Sequence, residues 1–458
     1  MTASVKLDRG LGPWKSTSLV LGGIIGVSIF LVSSAMADRV GTPGLLLLTW
    51  ALSGLLATIA AMAFAELGAS VPENGGTYAF LRRAFPGTPI AFSFAWMMFF
   101  AYSTGAIAVV AIMAANYLGQ FAERFMPYSE RTSTLVAVTI IMTLTTLNYF
   151  GARLGGGVQT AITALKVSAV IFAIVCALFI FQGEAQPLGA IVVQGDSLGV
   201  TAANVGGAMV LSFFSYSGAY FVTHVAEEIA EPEKNIPRAI IISMATVLLL
   251  YMLLNIAYVY VLPFEVLQRS ERVGADMMQA ILGPVGADVL TLIVVVSAIG
   301  ALNAQILNYP RIIFALARDG LFFQRVAEVH PKHRSPSVAI LLIGIIASLF
   351  ALAGTYRQIL EYVGFVMHLF ICLAVVAVIV LRIREPNLDR PFKVWGYPYT
   401  LVLFLLLSVA YLGNLLINSF ANTIVGVLIV LSGLPFFYYW RRQCRVRQAL
   451  EPLDSSAP

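Results

Sequence analysis

Lys166 stands in the stretch TALKVSAV, inside an apolar run long enough to cross a bilayer. It is the only Lys or Arg well inside such a run. It follows Arg153 by about 20 Å of helix, too far to snorkel back to that interface. An ionisable group at this depth is a functional hypothesis by default. A buried ammonium can carry a coupled proton, or stand as a fixed cation where a sodium ion would otherwise bind. The competing reading is a packing lysine bonded to carbonyls of an unwound neighbour.

Two apolar runs carry poor helix formers at mid-depth. SLVLGGIIGVSIF, Ser18 to Phe30, holds Gly22, Gly23 and Gly26, and SFFSYSGAYF, Ser212 to Phe221, holds Gly218 among serines. Each Gly costs a helix about 1 kcal/mol relative to Ala. Small residues also serve close helix packing, and for one run alone that is the stronger reading. Two interrupted runs at matched places, of opposite direction, point instead to an inverted repeat with a binding site between its halves. Broken helices uncover N–H and C=O groups, tolerated only where protein, water or ligand meets them.

Such ends define a ligand. Half-helix N-termini suit a carboxylate, and uncovered carbonyls suit an ammonium. An α-amino acid fits both without a charged side chain. The backbone at Gly26, Val27 and Ser28 is expected to hold the carboxylate. The carbonyls of Ile24, Phe214, Ser215 and Ser217 are expected to take the amine, with Tyr220 beside them and Phe214 as an apolar gate. No Asp or Glu falls near mid-depth; Glu66, Glu227 and Glu228 lie near span ends. A cationic side chain would lack its partner, so neutral amino acids are favoured. The alternatives are a polyamine or cationic amino acid transporter, and a non-translocating amino acid receptor. The receptor would be expected to carry a sizeable output domain. His224 and His368 are titratable groups within spans, each more readily explained by packing.

The elements that must position these groups are helices. Of 458 residues, 59% are hydrophobic and 11% charged, against about 25% charged in a soluble domain. Runs of about 20 apolar residues read as helices and not barrel strands. The expected fold is an all-α polytopic membrane protein of about twelve spans. Residues 1–458 form one transmembrane transporter domain: spans one to five over about 16–182, six to ten over about 204–382, and the last two over about 398–440. The first five and the second five would be inverted repeats, with spans one and six discontinuous. Most Lys and Arg, including Arg82, Arg83, Arg311, Arg318, Arg384 and Arg442, fall on one side of that count. That places both termini in the cytoplasm and the chain in the cell (inner) membrane. The first run is too long for a signal peptide and lacks a cleavage site. Cys176, Cys372 and Cys444 offer no disulfide framework. No metal spacing, nucleophile elbow or phosphate loop is present, so no metal, cofactor, enzyme activity or nucleic-acid partner is expected. GARLGGG, Gly151 to Gly157, reads as a hinge or tight turn.

These residues resemble the amino acid–polyamine–organocation superfamily, within it the bacterial relatives of L-type amino acid transporters. The resemblance rests on GGIIGVSIF, AELGASVPENGGTYAFLRRAF, FSYSGAYFVTHVAEEIAEPEKNIPRAI, YPRIIFALARDGLFF and LRIREPNLDRPFKVWGYP, in that order along nearly the whole chain. It implies the five-plus-five fold with two added helices, alternating access, and amino acid uptake or exchange. It also implies that backbone after the first break holds the carboxylate, that Phe214 gates, and that Lys166 replaces a sodium ion. Val27 and Ser28 depart from the usual Ser and Gly. Ala219 and His368 stand where relatives carry large aromatics, and Tyr220 where a smaller residue is common. Ala219 and His368 are therefore expected to border the side-chain pocket.

Overall fold

The computed structural model describes residues 7–123, 127–184, 197–354 and 356–454. It is all-helical, with no strand among the described residues, as lipid demands of a chain that must pair its own backbone. Nine described helices are long and apolar enough to cross a membrane: Pro43–Ser70 (the second span), Ile90–Gly119 (third), Glu130–Tyr149 (fourth), Ala152–Ile180 (fifth), Pro232–Val261 (seventh), Val273–Arg318 (eighth), Tyr362–Arg384 (tenth), Tyr399–Ile417 (eleventh) and Phe420–Val446 (twelfth). A tenth crossing, the sixth span, is a bent pair, Gly199–Phe213 and Ser217–His224, turned by 45°. The interrupted first segment (Pro13–Ile24, then Val32–Val40) and the shorter apolar helix Ser337–Ala353 stand where the first and ninth spans are expected.

Several boundaries differ from expectation. The last span runs as Phe420–Leu431 and Leu434–Asp454, past the expected edge, because the basic tail continues as helix. A short helix, Thr77–Ala84, fills what reads as a loop. Of GARLGGG only Gly151 is a turn, at φ 114°; helix Ala152–Val175 begins directly after it. There Gly155 and Gly156 let Asn148 and Leu11 approach closely.

Packing repeats between the halves. The first span packs on the seventh as the sixth packs on the second. The fifth packs on the eighth as the tenth packs on the third, and the third on the ninth as the eighth on the fourth. The added helices lie outside this set, against the second, third and tenth spans. The two interrupted spans meet inside it. A Cβ on Gly218 would stand 2.3 Å from the Gly23 carbonyl carbon, so only glycine permits that approach.

Candidate functional site

Helix Pro13–Ile24 ends at Ile25, whose ψ of 86° leaves the helical region. A single 3-10 turn, Ser28–Phe30, follows before helix resumes at Val32. Among the described residues, no group accepts a hydrogen bond from the N–H of Gly26, Val27 or Ser28. Gly26 and Ser28 are partly exposed, and a Cβ on Gly26 would meet nothing nearer than the Ile24 oxygen at 3.9 Å. The neighbouring glycines do other work. A Cβ on Gly22 would strike the Gln159 amide at 2.0 Å, and one on Gly23 the Phe221 ring at 2.7 Å. Two glycines of this run are packing residues, and the third opens on space beside three unpaired donors.

The uncovered carbonyls are taken by other spans. Lys166 Nζ donates to Gly22 O at 3.0 Å and Ile25 O at 2.8 Å. Ser297 Oγ lies 3.2 Å from both Ile25 O and Gly26 O. Lys166 is fully buried, and it has room because Gly300 lacks a Cβ, which would stand 2.6 Å from Lys166 Cε. Thr163 Oγ1 donates to Ser18 O at 2.9 Å, one turn of helix away from Lys166. Asn303, Gln159 and Asn148 extend the polar chain from there at 2.8 and 2.9 Å. The lysine is therefore bonded to carbonyls that the unwound first span leaves uncovered.

Helix Leu198–Phe214 breaks at Ser215 and Tyr216, and a 3-10 turn, Ser217–Tyr220, carries the chain on. Tyr251, from the seventh span, bridges the two breaks: its hydroxyl lies 3.0 Å from Ile24 O and 3.4 Å from Ser215 O. Two of the expected amine-holding carbonyls thus share one hydroxyl. Tyr251, Ser297 and Gly300 were not expected. Only the three-residue spacing of Ser297 and Gly300, one helix face, signals them.

The remaining expected residues are dispersed. The Phe214 backbone ends its helix, but its side chain lies outside the described residues. Tyr220 is buried, stacked on Phe64 at 4.9 Å, and Ala219 is buried in the same turn. His368 lines a different cavity, with Phe213 and Tyr411, that includes neither Ala219 nor the uncovered carbonyls. His224 is fully buried, pressed on Gly76, where a Cβ would lie 2.4 Å from its ring. Trp96 packs among Phe92, Phe100 and Phe436. All three cysteines are free, and no metal-binding cluster occurs among the described residues.

The acids near the site are all paired with arginine. Glu66 binds Arg382 at 2.7 Å, Glu228 binds Arg311 at 2.8 Å with both side chains fully buried, and Glu227 binds Arg318 at 2.6 Å. Asp319 binds Arg82 at 2.5 Å and Tyr78 at 2.6 Å, and Arg82 also meets Glu73. Leu11 and Ile229 pair backbones at 3.1 and 3.0 Å through Glu228 O and Ala230 N. These contacts tie the first span's start, the short helix Thr77–Ala84 and the ends of spans six and eight into one closed end. Burial alone would raise the Glu227 carboxyl, but its bond and charge contact with Arg318 hold it below its ordinary value.

A family model described as amino acid permease matches residues 11–438. The chain is similar to the large neutral amino acids transporter small subunit 2 of Mus musculus, 30% identical over 96% of this chain and 83% of that protein. It is 29% identical to the b(0,+)-type amino acid transporter 1 of Mus musculus, over 95% of this chain and 88% of that one. It is 27% identical to the serine/threonine exchanger SteT of Bacillus subtilis (strain 168), over 95% of this chain and 98% of that one.

Proposed function

The chain belongs to the amino acid permease family, within the amino acid–polyamine–organocation superfamily, and on that premise we propose that it is a sodium-independent secondary transporter of neutral L-amino acids. It works by alternating access and is either proton-coupled or an exchanger. The carrying observation is the Lys166 ammonium, bonded to Gly22 O and Ile25 O beside three unpaired N–H groups. A cation already fixed in the polypeptide supports transport without sodium. The free donors of Gly26, Val27 and Ser28 support a carboxylate there.

The amine then falls to carbonyls of the sixth-span break, Phe214, Ser215 and Ser217, with Ile24 opposite. The pairing of Glu66, Glu227 and Glu228 with arginines leaves none of them for a cationic side chain, which favours neutral substrates over polyamines. The closed end, with its paired basic residues, is the cytoplasmic one on the positive-inside rule. Both termini are then cytoplasmic and the membrane is the cell membrane. The transport cycle opens that end by parting the Arg318, Arg82 and Leu11 contacts.

Proteoliposome uptake of radiolabelled neutral amino acids tests the reading. Uptake should persist when choline replaces sodium, and should respond either to a pH gradient or to unlabelled amino acid inside. A strict sodium requirement overturns the ion assignment. Competition by putrescine or arginine, without competition by neutral amino acids, overturns the substrate assignment.

A further inference from the structure

A cavity of about 250 Å³ lies beside the first half of the interrupted sixth span, against the second, tenth and eleventh spans; Phe213 borders it, while Ser215, Ser217 and the first-span break do not. Its walls are mainly apolar, with Leu56, Met209, Phe213 and Leu407, while His368, Ser408, Tyr411 and Asn414 supply polar groups. Among the described residues no charged side chain lines it, and the charged Arg39 packs on Gly207 of its wall. His368 is 6% exposed and Ser408 1%. Among the described residues His368 Nε2 has no hydrogen-bond partner, and Ser408 Oγ has at most the weakly bonding Cys372 thiol. Unpaired polar atoms in hydrocarbon surroundings are costly, so a group that completes them is favoured. The cavity's rim includes exposed Gly206 and Leu407, and the eleventh span is only 17% buried, so the opening faces lipid.

We propose that this cavity binds an uncharged, membrane-dissolved amphipath, an apolar body bearing one hydroxyl, with that hydroxyl paired to His368 and Ser408. A hydroxyl donates and accepts, so it serves His368 Nε2 in either neutral tautomer and Ser408 as well. A carboxylate or ammonium head would find no counter-charge in the lining. The occupant wedges between the interrupted sixth span and the eleventh. It therefore slows the motion of the sixth span, a consequence that rests on the transport reading, whereas the binding itself does not.

The chain has four histidines, which makes ¹³C-histidine NMR in lipid nanodiscs a direct readout. Titration with 1-octanol should shift one histidine resonance saturably, and that resonance should be missing from His368→Phe and from His368→Gln. Octane and octanoate should leave it in place. A Cβ on Gly206 meets nothing within 4 Å, so Gly206→Leu should fold, fill the cavity and abolish the octanol shift. In uptake, octanol should inhibit the wild type at least threefold more than Gly206→Leu. The proposal is overturned if octane shifts the resonance equally, if the shift survives Gly206→Leu, or if octanol has no effect, the result for a cavity holding only water. It is also overturned if a neutral amino acid, and not octanol, moves the His368 signal, because the cavity would then belong to the transport site. Failure of uptake with the octanol shift intact would count against the transport reading alone.

Discussion

The side-chain nitrogen of Lys166 lies 2.8 Å from the carbonyl oxygen of Ile25, the residue at which the first span leaves the helix. That oxygen also receives Ser297 Oγ at 3.2 Å. The break is thus a junction of three spans, held by donors the first span does not own.

Lys166→Ala removes the ammonium from two buried carbonyls. An unsatisfied buried acceptor costs about 1–3 kcal/mol, so the variant should melt several degrees lower and lose at least tenfold in uptake. Should transport be proton-coupled through this lysine, residual uptake will also lose its pH dependence. Proteoliposome uptake from pH 5.5 to 8, on a variant shown to be folded, checks this. A wild-type pH profile would remove Lys166 as proton carrier. Gly300→Ala should mimic part of the defect by pushing on Lys166 Cε.

Gly26 and Gly22 should respond in opposite ways to the same substitution. Gly22→Ala forces a methyl into Gln159 and Thr163, and overpacking of this kind costs about 1–3 kcal/mol. Gly26→Ala meets open space, so the melting temperature should hold while KM rises about tenfold through crowding of the donors. Melting curves and uptake kinetics on both variants decide it. An unchanged KM in Gly26→Ala would move the carboxylate site elsewhere.

Tyr251→Phe keeps the ring contacts with Trp50 and Tyr216, at 5.6 and 5.4 Å, and deletes only the hydroxyl between Ile24 O and Ser215 O. The stability loss should be about 1 kcal/mol. Both carbonyls gain free lone pairs, so KM should change by severalfold while sodium independence is kept. Equal KM in the two proteins would exclude these carbonyls from the amine site.

The closed end should loosen in acid. Arg318 holds the Glu227 carboxyl below its ordinary value against the opposing effect of burial. A depressed carboxyl stabilises the closed form fully above its ordinary pKa of about 4.3, and that contribution is lost as pH falls through the depressed value. Closure should therefore be flat near neutrality and weaken well below pH 5. A Thr223→Cys reporter, in a background lacking native cysteines, measures it. Thr223 is fully buried, and Glu227→Gln mimics the protonated acid at neutral pH, where the reactive thiolate is available, so maleimide labelling at neutral pH should accelerate in Glu227→Gln. Labelling that is indifferent to the substitution would show that this pair does not hold the end shut.

Much of the fold was legible because bilayer thickness sets span length and because Gly and Ser weaken a helix wherever they fall. The two breaks were found that way, and Lys166 stood out by depth alone. What sequence could not show was partnership. Gly22, Gly23 and Gly26 look alike in a string, yet two are packing positions and one faces open space, and only the neighbouring spans distinguish them. Tyr251 and Ser297 are ordinary polar residues in apolar runs until the breaks supply carbonyls for them to meet. For His368 a pocket position is implied by the family resemblance alone; its ring contacts are with Phe213, Phe404 and Tyr411, and neighbours of that kind are not written in the sequence.

Gly218 rests on the Gly23 peptide with no side chain between them. Bare backbones in such contact form a pivot without padding: neither helix can tilt there without dragging or grinding on its mate. Whatever swings the one half of the molecule must therefore carry the other's severed helix along with it. A single methyl at that point meets backbone and not a yielding side chain, so it should wedge the two severed helices apart and unseat the pivot itself.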